Sequence, residues 1–544
     1  MHSMIRRPAV ALAVALLSFA PALVKAEDKA PAPVAADKSL PTESTTQASI
    51  TLHGEKFNYT AVAGLLTVGS SNAQDAQLTL DGKPRPGSQL ELDAPKEAKD
   101  AEALAQISYV AYFKKDAKSE ERPVTFIFNG GPGSSSVWLH MGSIGPKNVV
   151  TVGDKHLPAA PYKLVDNQES LLDVSDLVFV DMPGTGFGSI MGKDGGKAFW
   201  GVDQDAQAFA RFIQRFITKY SRWNSPKYIF GESYGTTRSA VLSDLLENDK
   251  NIDLNGVILL SQIFNFTTDI DMASSNPGVD LPFVTSLPTY AATAWYHKKL
   301  PNRPAELAPF LKEVESYATG TYAQALSKGS DLSDAEKQQV AEKLHEYTGL
   351  PVSYLLKANL RVNGGQFTKN VLDDEDLTAG RLDTRYSGPS LNPLSESSEY
   401  DPQSSAISSA YVASFNDYVR RELKFGEGRT YLPESSSANS IWDWDMEHKG
   451  GSPNGLNVAP QLAEAMKTNP RLHVMVNGGY YDLATPYYTA YYEQKHLPIP
   501  QSLSKNIEFD WYEAGHMVYV SDAQRKQLHD RVAAFITKTL ADGK

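Results

Sequence analysis

The run Gly231-Glu232-Ser233-Tyr234-Gly235 sets a serine between two glycines, directly after a β-prone stretch from Lys227 to Phe230 and before a helical one. A strand that reverses sharply into a helix strains its central residue, leaves no room for side chains two positions to either side, and lifts the central hydroxyl into the open. It also sets the backbone N–H of Tyr234 at a helix N-terminus, where it can donate to a developing oxyanion. A hydroxyl attacks an acyl carbon at neutral pH when a base takes its proton, and a histidine oriented by a carboxylate does this. The chain supplies both downstream, in the order this turn requires. Asp482 follows the run Leu472 to Val476, and His516 follows Ile507 to Tyr512. Both stand where loops leave strand ends, the edge at which open α/β sheets build their sites. The bland reading of Asp482 is an Asx-turn residue. Of the 11 histidines, His140 could line a cleft or simply pack, and His297, His345 and His529 fall in helical runs.

A second glycine-rich stretch, Asn129-Gly130-Gly131-Pro132-Gly133-Ser134-Ser135-Ser136, follows the apolar run Val124 to Phe128. Backbone without side chains approaches a substrate closely, so the N–H of Gly131 is a candidate second oxyanion donor; the alternative is a tight loop. There is no phosphate-cradling loop ending in Lys-Ser/Thr, no His-Glu-x-x-His and no helical carboxylate cluster, so the sequence calls for no cofactor and no metal. Cysteine is absent from the 544 residues, which removes thiol nucleophiles and Cys-ligated zinc and leaves an oxygen or an amine as the nucleophile. A formal charge of -12 gives no general attraction for nucleic acid or anionic lipid.

These residues need a scaffold, and the apolar patterning describes one. Val124 to Phe128, Leu177 to Val180, Lys227 to Phe230, Val257 to Leu260 and Leu472 to Val476 are short runs typical of strands buried on both faces, preceded by antiparallel segments between Ile50 and Phe113. Helical spacing over Asp203 to Tyr220, Thr236 to Leu246 and Gln524 to Leu540 supplies the covering helices of an α/β architecture with a mostly parallel central sheet. Residues 49–266 and 456–544 read as two parts of this core, separated by a largely helical inserted cap at 267–455 with helical stretches at Tyr290 to Leu300, Ala305 to Ala318 and Ser333 to Tyr347. Ahead of the core, Arg6 and Arg7 precede an apolar run from Ala9 to Leu23, the pattern of a signal peptide at 1–26. Residues 27–48, rich in Ala, Pro, Ser and Thr, read as a flexible linker. Export by a cleaved leader, to a bacterial periplasm or the medium, with no membrane contact afterwards, is the expectation.

Four blocks together resemble the serine carboxypeptidase family of the α/β-hydrolase superfamily: Asn129 to Ser136, Asp181-Met182-Pro183-Gly184-Thr185-Gly186-Phe187-Gly188, Gly231 to Gly235, and the Asp482 and His516 loops. The resemblance implies Ser233 as nucleophile, His516 as general base and then acid, Asp482 as its orienting carboxylate, and Gly131 and Tyr234 as the oxyanion hole. It implies that Asn129, Gly130 and Glu232 bind the free C-terminal carboxylate of a peptide, with Glu232 protonated; without it, Glu232 reads as an exposed turn residue. Tyr234 and Met517 would wall the cleft, and the tyrosines around Asp482 would pack. The chain departs from the family at Ser134, where a Cys is usual, at Ser143, where an acid that partners the elbow glutamate is usual, and at Tyr480 in place of an Asp. The resemblance predicts hydrolysis of C-terminal residues from peptides through an acyl-enzyme. An esterase or acyltransferase on the same scaffold, or an exported binding protein, is the alternative.

Overall fold

The computed structural model describes residues 41–92, 97–446 and 455–542. The expected signal peptide and residues 27–40 of the expected linker lie outside them. Ten strands form one sheet. In chain order these are β1 (Glu43–Leu52), β2 (Glu55–Gly69), β3 (Leu104–Lys114), β4 (Val124–Phe128), β5 (Asp176–Val180), β6 (Ser189–Met191), β7 (Lys227–Glu232), β8 (Gly256–Leu260), β9 (His473–Gly479) and β10 (Ile507–Tyr512). The spatial order is β1-β2-β3-β5-β4-β7-β8-β9-β10, with β6 also on β3. β1, β2, β3 and β5 pair antiparallel, and β5 onward is parallel.

Every residue of β4, β5, β7 and β8 is buried, as a sheet covered on both faces requires. The period of two divides each strand between two cores. Phe126, Phe128, Val257 and Leu259 join one cluster with the helix α2 (Val202–Lys219), while Ile127, Ile258 and Leu260 join the other with α6 (Asp522–Asp542). Deleting one such ring, as in Phe126→Ala, costs about 3–5 kcal/mol.

Residues 43–48, assigned to the linker from composition, instead form the first half of β1, paired with Tyr59 to Gly64 of β2. The reason is the turn: His53 (φ 50°) and Gly54 (φ 85°) both have positive φ, the two-residue hairpin geometry that matches strand twist. β1 is an edge strand held by its backbone ladder, and Glu43 to Ser49 are exposed or half-buried, so no apolar alternation marks it.

The segment 267–455 has two kinds of part. Helix α4 (Leu281–Tyr296) and the helices that follow it up to residue 370 enclose a core of their own, which also takes in Tyr481, Leu483 and Tyr487. α4 begins earlier than its sequence pattern, because Pro282 sits in the first turn, where its missing N–H costs nothing, and Pro288 is tolerated inside. By contrast, α5 (Pro402–Arg421) packs Ile407, Tyr411 and Phe415 into the sheet core beside α1 (Val137–Gly142).

Candidate active site

The parallel strands end in register, with Glu232 beside Leu260, Leu260 beside Asn477 and Asn477 beside Asp510. The loops carrying Ser233, Asp482 and His516 therefore leave the same edge of the sheet. Ser233 has φ 60° and ψ -130°, a strained backbone for a residue with a side chain, and opens helix α3 (Tyr234–Asp244). The flanking glycines are demanded by contact: a Cβ on Gly231 would lie 2.2 Å from the Gly235 carbonyl oxygen. β8 ties two of the loops together. The Ser233 N–H donates to Leu260 O at 3.0 Å, and the hydroxyl of the next residue, Ser261, donates to the His516 carbonyl at 2.8 Å.

His516 Nδ1 lies 2.8 Å from Asp482 Oδ2, and both residues are buried. Asp482 is fixed in turn by the Thr485 hydroxyl (2.7 Å) and the Thr485 N–H (2.9 Å). The Nδ1–H···carboxylate bond leaves Nε2 as the basic nitrogen. Burial acts to lower the His516 pKa, but the Asp482 carboxylate, with help from Glu232, outweighs it and holds the imidazole above its ordinary value.

The Asn129 to Ser136 loop lies flat on the elbow: a Cβ on Gly130 would sit 2.4 Å from the Tyr234 nitrogen. Among the described residues, the N–H groups of Gly131 and Tyr234 donate no hydrogen bond, as two oxyanion donors should. The Tyr234 ring, expected at the cleft wall, is instead 2% exposed and packs edge-on against Trp442, so only its backbone is on offer. The Asn129 carbonyl is anchored by Arg238 Nη1 at 2.7 Å, and Arg238 Nε bonds Asp205 Oδ2 at 2.6 Å, in a pair sealed from solvent. Burial pushes Asp205 up to about 6 against the pull of Arg238.

Glu232 is not an exposed turn residue; it is 2% exposed. It accepts from Asn129 Nδ2 at 2.9 Å and from the Tyr519 hydroxyl at 2.8 Å. Burial pushes its pKa up to about 7, partly offset by His516, Tyr519 and Asn129. Ser143 is buried, and its hydroxyl has no hydrogen-bond partner among the described residues. The hydroxyl that does bond Glu232 is that of Tyr519, whose signal in the sequence is only its place three residues after His516. His140 packs: it stacks on Phe179 at 4.2 Å, meets the Tyr112 hydroxyl at 2.7 Å, and is driven down to about 3 by burial. Tyr487 likewise packs and bonds Glu315 at 2.9 Å.

A group that sequence reasoning missed is the strap Arg381 to Arg385. Leu382 O accepts from the His516 N–H (2.6 Å), Arg381 O from the Leu483 N–H (3.1 Å), and the Thr384 N–H donates to Tyr481 O (2.9 Å). Asp383 accepts from the Gly515 N–H at 3.1 Å and pairs with Arg385, which reaches Glu513 O at 2.7 Å. One segment thus clamps the loops on both sides of the His516–Asp482 pair.

Strand order, parallel register and a serine elbow define an α/β-hydrolase fold. A family model described as serine carboxypeptidase matches residues 100–504, and the chain belongs to that family. The match ends before His516, whose place rests on the geometry above. Pheromone-processing carboxypeptidase KEX1 of Yarrowia lipolytica is 30% identical over 145 residues, 26% of this chain and 22% of that protein. KEX1 of Leptosphaeria maculans is 29% identical over 168 residues, 30% of this chain and 24% of that protein. The chain thus aligns with about a quarter of the length of these relatives. Among solved structures, proline iminopeptidase of Mycobacterium smegmatis is similar over 81% of this chain and 97% of that one, at 12% identity and a TM-score of 0.34.

Proposed function

We propose that this chain is a serine carboxypeptidase that releases C-terminal residues from peptides. The observation that carries the reading is Glu232, a buried carboxyl beside the serine of the elbow, held by Asn129 and Tyr519 and raised enough to keep a proton in weakly acidic solution. A protonated Glu232 donates to a substrate carboxylate, and an ionised one repels it. With the peptide's C-terminus held there by Asn129, Gly130 and Glu232, Ser233 Oγ attacks the scissile carbonyl as His516 Nε2 accepts its proton. The N–H groups of Gly131 and Tyr234 take up the negative charge on the carbonyl oxygen. His516 then protonates the leaving amine, and water, deprotonated by the same nitrogen, cleaves the acyl-enzyme. The test is a peptide panel read by mass spectrometry, in which matched peptides differ only at a free or amidated C-terminus. Stepwise loss from the free series alone is expected. Cleavage of simple esters with no action on either series supports an esterase.

Export is part of the proposal. Arg6 and Arg7 ahead of Ala9 to Leu23, a small-residue site before Glu27, and a chain without cysteine suit a bacterial leader and an oxidising compartment. The relatives reported above are fungal and lend the bacterial part of this reading no support. N-terminal sequencing of the secreted or periplasmic protein should begin at Glu27.

A further inference from the structure

At the end of the sheet opposite the elbow, three side chains from distant parts of the chain converge. Asp173 precedes β5, and so stands at the N-terminal end of the parallel strands, while His53 is at the tip of the β1–β2 hairpin and His529 is on α6. Asp173 Oδ2 lies 3.1 Å from His529 Nε2 and 3.7 Å from His53 Nε2, and the three donor atoms all fall within 4.8 Å of one another. The imidazole centroids are 5.5 Å apart with planes tilted by 40°, so the rings converge on the carboxylate and do not stack on each other.

His529 Nδ1 lies 3.0 Å from Asp530 Oδ1, a contact that puts a ring proton on Nδ1. Nε2 lies 3.1 Å from Asp173 Oδ2, so that position holds either a second ring proton or a metal ion shared by the two atoms. The second carboxylate oxygen of Asp173 is buried with no hydrogen-bond partner among the described residues, and the same holds for Glu169 Oε2, 3.7 Å from His529 Nδ1. The His529 side chain is only 4% exposed, whereas that of His53 is 53% exposed and leaves one side open to water.

We propose that His53, Asp173 and His529 bind a divalent transition-metal ion of the zinc class. Two imidazole nitrogens and one carboxylate oxygen suit zinc or cobalt better than magnesium or calcium, which prefer all-oxygen shells. With bonds of about 2.0–2.1 Å, tetrahedral zinc ligands stand about 3.3 Å apart, close to the separations around Asp173 Oδ2. The Asp530···His529 contact is the outer-shell bond that orients a ligating imidazole. The ion would join the N-terminal hairpin, the turn before β5 and the C-terminal helix, a structural role distinct from catalysis. No sequence motif announces it, because its ligands are scattered along the chain.

The test uses the full exported chain without a histidine tag, stripped with a chelator and titrated with zinc by calorimetry, and with cobalt by visible absorption. Wild type should take up one zinc per chain, gain thermal stability, and show the intense ligand-field bands of four-coordinate cobalt. His53→Asn, which keeps a residue tolerant of the positive φ in this half-exposed turn, should weaken zinc binding at least about 100-fold and lose both the stabilisation and the cobalt spectrum. Asp530→Asn should weaken it about 10- to 100-fold. Absence of stoichiometric uptake by wild type would mean that a proton bridges His529 and Asp173, and would overturn the proposal. Zinc uptake or stabilisation undiminished in His53→Asn would place the metal elsewhere and overturn it equally.

Discussion

The backbone N–H of His516 donates to the carbonyl oxygen of Leu382 at 2.6 Å, so the proposed general base is positioned by a residue of the segment 267–455 that lies between β8 and β9. Excising it whole should abolish turnover even in a variant that remains soluble, because both loops of the His516–Asp482 pair lose their clamp. A soluble deletion variant with wild-type kcat would refute this dependence.

Asp383 is the residue of the clamp on which a point change reads most clearly. It accepts from Gly515 and anchors Arg385, which holds Glu513 O. Asp383→Asn keeps the shape and removes the charge, leaving Arg385 mispaired in a largely buried place. Small misplacements of a catalytic group cost up to about 100-fold in rate. The expected result is a kcat lower by about 10- to 100-fold with KM little changed, and slower labelling of Ser233 by a phosphonate. A variant that loses thermal stability yet keeps kcat would reduce Asp383 to a structural brace.

Ser233→Ala and His516→Ala should each lower kcat by about 10⁴ or more, and the double variant should fall little further, since nucleophile and base act as a unit. Contamination-controlled kinetics and intact-mass detection of the phosphonate adduct check this. Substantial turnover by Ser233→Ala would remove the serine mechanism.

The strands that carry the site were readable because their burial on both faces leaves unbroken apolar runs, and β4, β7 and β8 start within one residue of the apolar runs that predict them. The sharp turn at Ser233 and the nearness of Asp482 to His516 were legible because local backbone geometry demands glycine and because both loops leave strand ends. What stayed hidden depends on distant contacts. β1 is polar and edge-exposed, so only its pairing with β2 reveals it. Arg238 and Asp205 look like ordinary helix charges until their burial as a pair is seen. Tyr519 and the strap from Arg381 to Arg385 act through bonds across the fold, which no spacing encodes. Ser143 holds the sequence position where the resemblance expects an acid, but its hydroxyl makes no bond to Glu232, and that of a tyrosine from another loop does.

Gly130→Ala tests the oxyanion loop. The added methyl would collide with the Tyr234 nitrogen at 2.4 Å, pushing the Gly131 and Tyr234 donors apart. Loss of an oxyanion donor costs about 10²–10³ in kcat. That loss is expected with the circular dichroism spectrum unchanged, and a kcat within a few-fold of wild type would move the oxyanion site elsewhere.

The last prediction concerns Glu232 and pH. Burial pushes this carboxyl up to about 7 while His516, Tyr519 and Asn129 pull the other way. Below that value the group is neutral and can donate to a substrate carboxylate; above it, two carboxylates meet in a closed cleft and repel. KM for free-carboxylate peptides should therefore rise as pH climbs through about 7, with a smaller change in kcat, and Glu232→Gln should flatten the profile. Stability follows the same sign. A carboxyl whose folded pKa is raised favours the folded state fully below its unfolded pKa, and that contribution is lost as pH rises through the folded pKa. Relative to wild type, Glu232→Gln should thus gain thermal stability between weakly acidic and weakly alkaline solution. Tyr519→Phe removes a donor to the charged form, so it should carry the KM rise to higher pH. A KM that does not move with pH in wild type, together with a silent Glu232→Gln, would mean that another group binds the peptide's C-terminus.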